Sequence, residues 1–107
     1  MTPEKQRIAI AEHCGWVPDK ANVGPALQKV KGWWHHSQFK LESQIPDYLN
    51  DLNAMREAVM LLKTKRQRQL FEWHLSDLLS DDSWTVINAT AAQRAEAFVR
   101  TIGKWEE

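Results

Sequence analysis

The chain has one cysteine, four glycines, four prolines and one tyrosine among 107 residues, and its 14 basic and 14 acidic side chains cancel. Each scarcity excludes something. Cys14 alone cannot close an internal disulfide, so a reducing cytoplasm is the expected compartment. The glycines at 15, 24, 32 and 103 stand singly, so no phosphate-cradling loop is present. A formal charge of zero argues against a dedicated nucleic-acid binder, while leaving room for a local basic patch. No stretch approaches the ~20 apolar residues of a membrane span. Met1-Thr2-Pro3-Glu4-Lys5 leads into a helical pattern without a signal peptide's apolar region.

The usual chemistry-bearing constellations are also thin. His13-Cys14 and His35-His36 contain zinc-compatible atoms, but no C-x-x-C or H-x-x-x-H pair brings ligands together. No metal or other cofactor is expected. A Cys14 nucleophile would need a partner base and a depressed pKa, whereas Cys14 sits on an apolar helical stripe that predicts an inert thiol. The carboxylates of Asp47, Asp51, Glu57, Asp77, Asp81 and Asp82 include no pair with a hydrolase context. The expectation is a protein that is not an enzyme.

Against these absences stand six tryptophans, with 43% apolar and 26% charged residues overall. That composition fits one soluble domain over residues 1–107. Each tryptophan can bury roughly 150–250 Å² or anchor a partner. About four of the six are expected to be mainly structural.

The predicted elements are helix, a strand-containing middle, then three helices. Thr2 caps the first helix, Pro3 occupies its first position, and Gly15 stops it. Ile8, Ala11 and Cys14 share one face, flanked by Ile10. Asn22-Val23-Gly24-Pro25 is a breaker cluster. Residues 26–31 read as a strand, with a short helix over 25–30 as the alternative. A turn at Lys31-Gly32 and a second strand through Phe39 and Leu41 follow. Pro46 or Asp47 caps a second helix, whose stripe is Leu49, Leu52, Met55, Val59 and Leu62. Thr64 caps a third, with Phe71, His74 or Leu75, and Leu78 on one face and Trp73 to the side. Ser83-Trp84-Thr85-Val86-Ile87 has strand composition and could complete the sheet. The last helix begins with a capping box, Thr90 with Gln93. It buries Ala91 or Ala92, Ala95, Phe98, Val99 and Ile102, ends at Gly103, and is followed by Trp105 folding back onto the body. The fold class is α+β: about four helices with a small two- to three-stranded antiparallel sheet.

Two blocks carry a family likeness. Residues 45–55, Ile-Pro-Asp-Tyr-Leu-Asn-Asp-Leu-Asn-Ala-Met, and 89–100, Ala-Thr-Ala-Ala-Gln-Arg-Ala-Glu-Ala-Phe-Val-Arg, lie in order around a variable helix. The chain thereby resembles small phage and prophage proteins grouped as the phage alpha–beta–alpha (ABA) sandwich domain. The resemblance implies layered helices around a small sheet, in a phage product made in the cytoplasm of a bacterial host. It transfers no functional residue, because the group has no catalytic assignment. The sequence departs from the group at Trp33-Trp34-His35-His36, which has no counterpart there.

The binding candidates are therefore two. The basic run Lys63, Lys65, Arg66 and Arg68 precedes Trp73, and Arg66 and Trp73 lie about two turns apart, so a cation and an aromatic could share a face. The segment Trp33, Trp34, His35 and His36 could grip a partner, or alternate one ring in and one out as a strand requires. The expected function is a viral accessory protein that binds a host or phage protein, for host takeover or inhibition of a defence, with self-association an option. The alternative is a small nucleic-acid-binding module using the basic run. The charges oppose the helix macrodipole, basic at the start and acidic at Asp77, Asp81 and Asp82 near the end, which suggests a use beyond helix stability.

Overall fold

A computed structural model of the chain describes residues 1–18, 32–35, 37–79 and 86–107. Among these residues four α-helices accompany a three-stranded antiparallel sheet, a small α+β arrangement. In chain order they are α1 (Pro3–His13), β1 (Val17–Pro18), β2 (Gly32–His35), β3 (Gln38–Leu41), α2 (Leu52–Met60), α3 (Lys65–Leu78) and α4 (Ala91–Thr101), with a 3₁₀ turn at Glu42–Gln44. The readings made for 22–31, His36 and 83–85 fall outside the described residues.

α4 is the centre of the helical part and packs on α1, α2 and α3. At about 100° per residue, its buried positions Ala91, Ala95, Ala97, Phe98 and Val99 sweep roughly 200° of its circumference. That is wider than the predicted stripe, because Ala97 is enclosed as well. Three small side chains let neighbouring helices approach closely, and Phe98 fills the space between them. The predicted capping box is present. The Gln93 N–H donates to Thr90 Oγ1 at 3.1 Å, and the Thr90 N–H donates to Gln93 Oε1 at 2.9 Å.

α1 starts as expected, with Thr2 Oγ1 accepting from the Lys5 N–H at 3.3 Å. Its buried face is rotated from the predicted one. Ile10 and Ala11 are fully enclosed with Gln6 beside them, while Ile8 and Cys14 are only partly buried. α2 also begins later than predicted. Asp51 is the cap, accepting from the Asn53 and Ala54 N–H groups at 3.0 and 3.3 Å. Asp47 instead accepts from the Asn50 amide. Upstream, the half-buried Arg7 donates to the carbonyls of Pro46 and Ile45 at 3.2 and 2.8 Å, fixing this loop to α1. Met55, Ala58 and Leu62 are buried, whereas Leu52 faces solvent.

The sheet order is β1-β2-β3. Trp34 pairs with Val17 on one side and with Phe39 on the other. The predicted single strand from Trp33 through Leu41 is thus two strands, with an unpredicted reversal between His35 and Gln38. Gly32 is a strand residue. A Cβ there would run into the Phe39 ring, so its use is close approach rather than a turn. Pro18 is tolerated because β1 is an edge strand. Val86 and Ile87 belong to a helical turn closed by the Ala89 N–H on the Val86 carbonyl, not to a further strand.

Candidate functional site

The predicted tryptophan–histidine segment divides as a strand must. Trp33 is 4% exposed and lies in the core, where its indole N–H meets no acceptor among the described residues. Trp34, on the opposite face, is 42% exposed and meets Phe39 edge-on at 5.1 Å. His35 returns to the inner face. Its ring lies 4.9 Å from that of buried Trp16, and its Nε2 is 3.2 Å from the Cys14 carbonyl oxygen. Only Trp34 of the described part of this segment offers a large ring to a partner.

The basic run divides too. Lys63, Lys65 and Arg66 are exposed, and none forms an ion pair among the described residues. Arg68 turns back, its Nε donating to the Leu62 carbonyl just beyond α2 at 3.0 Å. On a helix Arg66 and Arg68 stand about 160° apart, whereas Arg66 and Trp73 stand within about 20°. Trp73 is 64% exposed, with its ring 5.3 Å from that of His74. The four cations therefore do not make one patch: Arg66 goes with Trp73, and Arg68 goes with a groove on the other side of α3. Lys63 sits near His13, whose pKa is lowered by burial and by that neighbouring charge.

That groove was not visible in the sequence. It encloses about 730 Å³ and is walled by Val59, Met60 and Leu62 at the end of α2, by Phe71 and Leu75 of α3, and by Val86 and Ile87 before α4. Arg68, Glu72 and Arg94 stand on its rim. Met60 and Ile87 are 72% and 69% exposed, more than any other large apolar side chain among the described residues. Arg94 is held like Arg68, its Nε donating to the Ala89 carbonyl and one Nη to the Ile87 carbonyl, both at 3.2 Å. Three separated segments build the groove, and two of its residues, Val86 and Ile87, read as strand. The available signal was Met60, an apolar residue off the inward stripe of α2.

A second concavity of about 430 Å³ gathers Cys14, Trp16, His35, Tyr48 and Glu57. Burial raises the Cys14 pKa despite a hydrogen bond with Tyr48, and burial together with Cys14 raises that of Tyr48. Both shifts favour the protonated, non-nucleophilic forms, the reverse of an activated thiol. Among the described residues no three His, Cys, Asp or Glu side chains converge as metal ligands. No described helix is long and apolar enough to cross a membrane.

No family model, no curated protein and no solved structure matches the chain.

Proposed function

We propose that this chain is a non-enzymatic phage or prophage accessory protein that works in the cytoplasm of a bacterial host by binding a host or phage protein. Host takeover and inhibition of a defence are the roles such binding serves. The observation that carries this reading is the exposure of large apolar side chains: Met60 and Ile87 on one groove, Trp73 on α3, and Trp34 with Phe39 on the hairpin. Water-facing apolar surface of this kind marks interaction sites rather than folding determinants. The resemblance of residues 45–55 and 89–100 to the phage ABA group supports the viral origin. The raised thiol and phenol pKa values weigh against Cys14 or Tyr48 as nucleophiles.

The competing reading, a nucleic-acid module built on Lys63, Lys65, Arg66 and Arg68, draws on the exposure of all four cations. Their division between two sides of α3 favours the protein reading. A pull-down from nuclease-treated bacterial lysate with the intact chain tests the two together with a gel shift on labelled single-stranded DNA at about 50 and 200 mM salt. The expected result is a protein retained in fixed ratio, by the wild type and by the variant with Lys63, Lys65 and Arg66 changed to Gln, and no shift at either salt. A salt-sensitive shift abolished in that variant would overturn it.

A further inference from the structure

We propose that the groove between α2, α3 and the turn at 86–89 receives an amphipathic helix of a partner protein whose apolar stripe is flanked by Asp or Glu. The proposal rests on the protein-binding reading and names its site and ligand chemistry. The walls are mainly apolar, from Val59, Met60, Leu62, Phe71, Leu75, Val86 and Ile87, which suits side chains better than a phosphate backbone. Met60, unbranched and polarizable, can adapt to an incoming surface. The charge comes from two arginines. Arg68 and Arg94 are each held by main-chain carbonyls through Nε, and neither forms an ion pair with a carboxylate among the described residues. A guanidinium fixed in this way loses little freedom on meeting a carboxylate and presents a planar fork to it. Glu72 on the same rim would repel a polyanion and accept a basic residue of a partner. A helix fits better than an added strand. The groove is bounded by helices, whose main-chain groups are internally paired, so recognition must run through side chains at helical spacing.

The test is a selection of helical peptides of about four turns, roughly 15 residues, on the intact protein. Enriched peptides are then labelled with fluorescein and titrated against four proteins: wild type, Ile87→Glu, Arg68→Glu/Arg94→Glu and Trp34→Ala. Circular dichroism checks that each is folded, and Ile87 is exposed enough for its substitution to leave the core intact. The expected peptides carry Leu, Met or Phe at three- and four-residue spacing with acidic flanks. Their affinity should fall about tenfold or more in Ile87→Glu and in the double charge reversal, and remain unchanged in Trp34→Ala. A Lys-flanked version of the same peptide should bind the charge-reversed protein better than the wild type, a gain that a folding defect could not produce. Several results would overturn the proposal. Peptides that ignore Ile87→Glu but are lost in Trp34→Ala would move binding to the hairpin and spare the protein-binding reading. Peptides without acidic bias would remove the role of the arginines. A concentration-dependent dimer abolished by Ile87→Glu would make the groove a self-interface. No enriched peptide, with labelled single-stranded DNA bound at low salt, would sink the groove and the protein-binding reading together.

Discussion

α4 and α3 begin with the same words, Thr-x-x-Gln, and are used in opposite ways. Gln93 reaches back to the N–H of its own cap residue, Thr90, at 2.9 Å. Gln67 reaches one residue further, to the Lys63 N–H at 3.2 Å, while Thr64 Oγ1 still accepts from the Gln67 N–H. Past the cap, α4 buries five side chains over a wide arc, and α3 buries only Phe71 and Leu75. α3 instead carries Trp73 and Leu78 outward and has Lys65, Arg66 and Arg68 in its first turn with no acidic residue there. Each such cation works against the helix dipole by about 0.3–1 kcal/mol. One helix is optimised for packing and the other tolerates local cost, which is the distribution expected when stability and recognition are assigned to different elements.

The sharpest way to test that division is to empty the centre of α4. Phe98→Ala should cost about 3–5 kcal/mol, read as a shift in the urea midpoint at unchanged slope. Removing the caps is the next step. Thr90→Ala should cost about 1 kcal/mol and Thr64→Ala less, since α3 contributes less to the core; parity between them would weaken the comparison. Trp73→Ala should change unfolding free energy by no more than about 0.5 kcal/mol despite removing the largest side-chain type, because the ring is mostly in water. A large loss there would return Trp73 to the structural class.

The smallest effect lies at the joint between α1 and α4, where the His13 ring meets Phe98 edge-on at 5.3 Å. Burial and Lys63 lower its pKa below 6.5 in the folded state. The unfolded chain then binds more protons between the folded value and 6.5, so stability rises with pH across that window. Melting temperature should fall slightly as pH drops from 7 below 6.5, and His13→Gln should flatten that part of the profile.

What was legible in the sequence follows from how local each signal is. The start and stop of α4, the Thr2 and Thr64 caps and the overall α+β class all depend on residues within a few positions of one another. The late start of α2 was hidden because Pro46-Asp47 looks like a helix opening; Arg7, from a distant segment, holds the Ile45 and Pro46 carbonyls instead. The hairpin was misplaced because Gly32 resembles a turn residue, whereas its missing side chain accommodates the Phe39 ring across the strands. Of the five described tryptophans, Trp16 and Trp33 are buried and Trp105 is partly so, while Trp84 lies outside the described residues. The groove was illegible for the same reason as the hairpin: its walls come together only through tertiary packing, and the roles of Arg68 and Arg94 depend on which carbonyls they find.

Cys14 has a practical consequence. It is the sole thiol of the chain, half-buried and held away from its reactive thiolate. Maleimides attack thiolates, so at neutral pH they should leave the native protein nearly untouched. The molecule thus offers a quiet background for labelling chemistry. A cysteine introduced by Met60→Cys or Ile87→Cys would react first, and a dye placed there would report directly on whatever enters the groove.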